Sequence, residues 1–146
     1  MINQGWVMTR EERFEAIALL STDRLVEMAD RVLESIDLDV THGPTVGLLM
    51  VRHEEPVERL TFNLIEVTVT EAEVLADGER GYAMVMGRNP EHALAGAILD
   101  VAIELDHSIS SEALHELRRA QSAEEERWRQ EWAEVAPTAV KFEEAL

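Results

Sequence analysis

Residues 66–88, EVTVTEAEVLADGERGYAMVMGR, constrain the fold more than any other stretch of this chain. Val67 and Val69 alternate with Thr68 and Thr70. That is the period-two pattern of a strand with unlike faces, and β-branched side chains suit a pleated surface. Val74 and Leu75 prolong the extended run. Asp77-Gly78 is a turn pair, because glycine reaches positive φ without a Cβ clash. Tyr82 to Met86 forms a second apolar run, which closes on Gly87-Arg88-Asn89-Pro90. Asn89 is placed to cap a helix whose first residue is Pro90. The stretch predicts a hairpin delivered into a helix, and the remaining elements must pack on that unit.

Upstream, Glu11 to Leu20 carries Phe14, Ile17 and Leu20 or Ala18 at helical spacing. Ser21-Thr22-Asp23 interrupts it and offers a cap for a second helix with Leu25, Met28, Ala29, Val32, Leu33 and Ile36 on its apolar face. Two consecutive short helices predict an αα-hairpin. Asp37 to His42 is expected to be an acidic connection, and Gly43-Pro44 is punctuation. Thr45 to Arg52 (TVGLLMVR) reads as a strand, Glu54-Glu55-Pro56 as a turn, and Leu60 to Ile65 as a further extended segment. The short connections predict an antiparallel meander of about four strands, because parallel pairs need a crossover of a dozen or more residues.

Downstream, Pro90 to Leu105 predicts a helix with Leu94, Ala97, Ile98, Val101 and Leu105 on one face. Ser108-Ile109-Ser110-Ser111 breaks it, with Ser110 or Ser111 as the next N-cap. The last helix, from about Glu112 to Val135, starts its stripe at Leu114 and Leu117 and ends it at Trp128, Trp132 and Val135. Gln121 to Glu126 is polar all round, the mark of a helix that crosses solvent or reaches another chain. Pro137 stops it. The tail from Thr138 has Val140, Phe142 and Leu146 as its apolar anchors. The class predicted is α+β, with an N-terminal helical hairpin and two C-terminal helices, in a single domain over residues 1–146.

Bulk properties exclude several functions. The 13 basic residues against 30 acidic ones leave a net charge of −17. Nucleic-acid affinity comes from neutralising phosphates, so this chain is not expected to bind nucleic acid. A phosphorylated ligand would have to be held mainly by a more basic partner. There is no cysteine, hence no disulfide, thiolate nucleophile or cysteine-ligated cluster. A cytoplasmic setting is the natural expectation. No apolar run approaches the roughly 20 residues of a membrane span. The opening MINQGWVMTREER lacks a basic region followed by an apolar one, so no signal peptide is expected.

Few residues suggest chemistry. Glu104-Leu105-Asp106-His107 and Glu112-Ala113-Leu114-His115 are two copies of Glu-x-x-His, a pattern that ligates paired metals in ferritin-like bundles. Those bundles need further Glu-bearing helices facing the pair, and the middle of this chain is sheet. Ordinary surface residues explain the pairs better, and no metal is expected. Arg88, at the strand-to-helix corner, is the best candidate for an anion contact or for an ion pair at a subunit boundary. Glu91 in the first helical turn opposes a bound phosphate, and Gly87-Arg88-Asn89 is not a nucleotide fingerprint. His92 is a titratable candidate without a Ser, Cys or carboxylate partner at motif spacing. Thr68 and Thr70 share a strand face that is half-solvated or binding. Trp128 and Trp132, four apart, suit either a core or a partner hot spot.

With those residues in view, the sequence resembles the PhnG family, whose members are subunits of the phosphonate carbon–phosphorus lyase system. The residues that carry the resemblance are Glu66-Val67-Thr68-Val69-Thr70, Gly81-Tyr82 through Gly87-Arg88, His92-Ala93, Asp100, and the tail Thr138-Ala139-Val140-Lys141-Phe142. Order and spacing agree over nearly the whole chain. The resemblance implies a core assembly with the PhnH, PhnI and PhnJ proteins, each type present in pairs. With PhnH, PhnI and PhnL, a PhnG protein would support formation of α-D-ribose 1-methylphosphonate 5-triphosphate, in which the phosphonate displaces adenine from ATP. The later radical step would belong to PhnJ, with its iron–sulfur cluster and S-adenosylmethionine. ATP would be a substrate of the complex, and no cofactor is expected on this chain. No catalytic residue carries over. Glu66, Thr68, Thr70, Arg88, His92, Trp128, Trp132 and Phe142 are the expected contacts to partner or ligand. This sequence departs from the family in its greater acidity and in a tail that, with two glutamates after Phe142, ends soon afterwards. In isolation, the chain is expected to bury its partner-facing apolar surface against a copy of itself. The competing reading is a stand-alone metal-dependent enzyme or ligand-binding module built on Glu104, His107, Glu112 and His115.

Overall fold

The computed structural model describes residues 7–140. Helices α1 (Arg10–Leu19) and α2 (Thr22–Leu33) precede strands β1 (Asp39–Glu54), β2 (Thr61–Ala76) and β3 (Glu79–Met86). Helices α3 (Pro90–Glu104) and α4 (Ser110–Val135) follow, with a 3-10 turn at Ala136–Thr138. The sheet is an antiparallel meander in the order β1-β2-β3. The α+β class is as expected, with one strand fewer. The segment from Leu60 to Ile65 and the Val67–Leu75 run are one unbroken strand, β2. Strand β1 also starts earlier than the Gly-Pro punctuation suggests. Gly43-Pro44 lies inside it, where the pairing with β2 shifts between His42 and Thr45. An edge strand absorbs such a bulge, since its outer N–H groups have no ladder to serve.

The hairpin between β2 and β3 has Asp77 at φ 47° and Gly78 at φ 81°. Both central residues are left-handed, the two-residue geometry that matches strand twist. Strand β3 then lies flush on α3. A Cβ at Gly81 would sit 2.1 Å from the Ala97 carbonyl oxygen, so only glycine permits this approach. Asn89 caps α3 by accepting from the His92 N–H at 3.2 Å, with Pro90 opening the helix.

Helix α3 is the core of the molecule. It is buried almost all round from His92 to Ala102, beyond the single apolar face expected. A helix apolar on every side belongs in the interior. Ala72, Val74, Ala76 and Ala83 of the sheet, Leu25, Met28 and Val32 of α2, Ile17 of α1, and Ala113 and Leu117 of α4 complete that core. The N-terminal helices follow each other across Leu20–Ser21, and each packs chiefly elsewhere: α2 on α3, α1 on α4 and β3. Thr9 and Glu12 form a capping box on α1, and Ser21 caps α2. The expected serine cap on α4 is not formed. Ser110 begins the helix and donates instead to the Ala102 carbonyl at 3.3 Å.

Two elements leave this body. Strand β3 covers only Val69–Ala76 of β2, so Thr61–Thr68 pairs with β1 alone as a two-stranded ribbon. Beyond Glu124, every described residue of α4 is exposed. Among the described residues, no helix is long and apolar enough to cross a membrane.

Candidate functional site

The polar groups inside the body form a structural hub. Asp100 projects from α3 and is 3% exposed. Its carboxylate accepts from Arg13 Nε at 2.6 Å, from the Tyr82 N–H at 3.0 Å and from Arg10 Nη2 at 3.3 Å. Arg13, itself buried, also pairs with Glu104. The Arg13 hydrogen bond holds the Glu104 carboxyl below its ordinary range. The hub joins α1, β3 and α3, and it satisfies each buried charge, as a low-dielectric interior demands.

His92 belongs to the same interior. Its Nε2–H donates to the Ile17 carbonyl at 2.9 Å, and its Nδ1 accepts from the Thr22 hydroxyl at 3.0 Å. Burial pushes its pKa down, partly opposed by the Ile17 carbonyl. The ring is neutral, with both nitrogens engaged, and offers no atom to a ligand. Thr70 is likewise buried. It donates to the Gly87 carbonyl at 2.6 Å and accepts from the Asn89 N–H at 3.0 Å, fastening the corner between β3 and α3.

A second cluster ties α2 to α4. Arg24 reaches Glu112 and Glu116, and Arg31 forms a two-pronged pair with Glu112 at 3.0 and 2.9 Å. Arg31 and then Arg24 hold the Glu112 carboxyl down to about 2. The four residues of the two Glu-x-x-His copies are therefore separated in use. Glu104 serves Arg13, Glu112 serves Arg24 and Arg31, His107 faces Ser35, and His115 is exposed on α4. No group of three or more His, Cys, Asp or Glu among the described residues is placed to hold a metal ion.

The Ser35–His107 contact, 2.7 Å from hydroxyl to Nε2, is a pairing that sequence reading missed because 72 positions separate the two. It is not a nucleophile and base. The Ile109 N–H donates to Nδ1 at 3.2 Å, which places the proton of the neutral ring on Nε2. The imidazole then donates to the serine oxygen and cannot take its proton.

The other expected contacts lie outside. Glu66 is exposed on the ribbon opposite Met50, and Thr68 is half-buried opposite Leu48. Arg88 is exposed and makes no hydrogen bond or ion pair with another described residue. Trp128 and Trp132 are 61% and 68% exposed, and with Val135 they form an apolar stripe on the outer half of α4. Glu124 accepts from the Trp128 indole N–H at 3.1 Å, and Arg127 lies over that ring at 5.9 Å from its centroid. Phe142 falls outside the described residues. Sequence reading also missed Arg13, though it shares the helical spacing of Ala16, Ile17 and Leu20. An acid in the middle of an apolar helix, as Asp100 is, was the available signal for its partner.

The family model described as "Phosphonate metabolism protein PhnG" matches residues 8–145. Among curated proteins, the chain is 35% identical over 136 residues to the α-D-ribose 1-methylphosphonate 5-triphosphate synthase subunit PhnG of Rhizobium meliloti (strain 1021). That match covers 90% of this chain and 86% of the relative. A family match that spans the four helices, the whole sheet, the Asp100 hub and the projecting part of α4 places this chain in the PhnG family of phosphonate metabolism proteins.

Proposed function

We propose that this chain is a non-catalytic subunit of an α-D-ribose 1-methylphosphonate 5-triphosphate synthase, in which a phosphonate displaces adenine from ATP. Its partners in that reading are PhnH, PhnI and PhnJ of the core assembly, with PhnL joining for the synthase step. ATP is a substrate of the complex. The observation that carries the reading is the division of labour among the side chains. The titratable groups His92, Asp100, Glu104 and Glu112 are committed to hydrogen bonds and ion pairs that hold the fold. The large apolar groups Trp128, Trp132 and Val135 stand in solvent on a helix that has left the body. An interface with aromatic anchors uses such groups. Glu66, Thr68 and Arg88 extend this contact surface along the ribbon and the corner at its root.

The test is reconstitution. The tagged chain is co-expressed with PhnH, PhnI and PhnJ, and adenine release from ATP and methylphosphonate is measured with PhnL added. A stoichiometric complex and release that depends on this chain are expected. Trp128→Ala with Trp132→Ala is expected to lower recovery of the complex while the melting temperature holds. Assembly and full turnover of the other proteins without this chain would overturn the proposal.

A further inference from the structure

The ribbon formed by Leu48–Glu54 and Thr61–Thr68 carries exposed apolar side chains on both faces. From Val46 to Val51 the register with β2 is unbroken, so alternate residues take opposite faces. Val46, Leu48 and Met50 continue the sheet face that α3 covers further down, and they stand opposite Thr70, Thr68 and Glu66 of β2. Leu49 and Val51 share the other face with Val67 and Ile65. Leu48 is 68% and Ile65 55% exposed, so neither face is covered by the other described residues. Phe62 and Leu64 follow towards the tip, again exposed. An ordinary surface hairpin has one apolar and one polar face. This one exposes apolar side chains on both faces, with Glu66 and Thr68 interrupting one of them, and has a free edge on each side, the arrangement that otherwise invites aggregation.

We infer that this ribbon is an insertion arm, seated between two apolar walls of a cleft in another, less acidic protein of the assembly. The inference rests on the subunit reading above and adds which element enters the partner and how.

Geometry and charge select that occupant over a second copy. Edge-to-edge pairing of two ribbons leaves both faces in water, and stacking them covers one face of each. A ribbon of this length is about 24 Å long, and one face offers about 250 Å². A stable interface needs roughly 800 Å² per partner, so one face alone falls far short, and burying both faces brings the ribbon closest to its share. The tip carries Glu54, Glu55 and Glu58 against Arg52 and Arg59. The apolar groove between α2 and α3 has Asp30 and Glu91 at its rim and no cation, while the grooves at Glu116 and at Glu34 also carry arginines. Two copies would also bring together two bodies of charge −17. A less acidic partner removes that repulsion.

The experiment compares the free chain with its complex with PhnH, PhnI and PhnJ. Hydrogen exchange on the wild-type protein is expected to slow on complex formation at the amides of both 48–54 and 61–68. Leu48→Asp and Ile65→Asp, one on each face, are each expected to lower complex recovery more than about tenfold. The exposed positions of both residues leave the melting temperature of the free chain unchanged. Unaltered exchange in the ribbon overturns the inference, and so does wild-type recovery for either variant, since one face would then suffice. A homodimer broken by the same two changes would assign the ribbon to a second copy and overturn it as well. If the wild-type chain recovers no partner at all, the subunit reading itself fails. If wild type assembles and the variants do too, only the arm falls.

Discussion

An Asp100→Ala exchange removes the one carboxylate that α1, β3 and α3 share. Three donors lose their acceptor: Arg13 Nε, the Tyr82 N–H and Arg10 Nη2. Arg10 is half-exposed and recovers hydration, so its loss is small. Arg13 is buried, and breaking a buried pair from one side costs about 3–5 kcal/mol because a charge is left uncompensated. The stranded Tyr82 N–H adds about 1–3 kcal/mol. The two overlap, and Glu104 still holds Arg13, so the expected loss is about 4 kcal/mol. For a chain of 146 residues, each kcal/mol moves the melting temperature by roughly 3 °C, giving a fall of about 12 °C. Urea unfolding of wild type, Asp100→Ala, Arg13→Ala and the double variant closes a cycle. A coupling of about 2 kcal/mol or more is expected between residues in direct contact. A loss below about 1 kcal/mol in Asp100→Ala, or additive singles, would refute the hub.

Gly81→Ala places a methyl group against the Ala97 carbonyl and the Val101 N–H, both backbone. Neither can yield, so a loss of about 3 kcal/mol or failure to fold is expected in denaturant titration. Glu112 has a folded pKa near 2, below its unfolded value, so its contribution is complete above the unfolded pKa and is lost as pH falls towards 2. The stability gap between wild type and Glu112→Gln should therefore close between about pH 5 and pH 2, where ordinary carboxylates titrate. A gap constant over that range would refute the pairing with Arg31 and Arg24. His92 is depressed by burial, so the unfolded chain binds the proton more readily and stability declines as pH drops below about 6.5. An NMR titration should place the His92 midpoint below that of the exposed histidines, with its neutral ring protonated on Nε2. A midpoint at or above theirs would contradict the buried site.

Local signals made much of this fold legible. The Val-Thr alternation, the Asp77-Gly78 turn and the Asn89-Pro90 helix start are each decided by the residues themselves, through side-chain shape and allowed φ. Segments governed by their surroundings were not legible in the same way. Gly43-Pro44 looks like a strand boundary, yet an edge position lets the strand run through it. Ser110 looks like a cap, yet the Ala102 carbonyl lies within reach of its hydroxyl and takes the bond. The fourth strand disappears because β1 is long enough to pair with all of β2.

The candidate site divides the same way. Trp128 and Trp132 stand exposed on a helix that projects, as the polar interval before them suggested. His92 and Thr70 share the chemistry of contact residues, but the fold turns them inward and satisfies every polar atom they carry. The Glu-x-x-His copies have metal-ligand spacing, but arginines more than 80 positions away claim their glutamates.

By itself the sequence determined the class, the hairpin, the helix starts, the strong negative charge and, through its joined motifs, the family. Those depend on backbone preference, periodicity and residue order, which are local or cumulative along the chain. Only the tertiary structure decided which polar residues are interior and which apolar ones are left outside. Asp100 became a hub and the ribbon residues Leu48 and Ile65 stayed exposed because of what packs beside them, and neighbours brought together from distant parts of the chain leave no mark in local sequence.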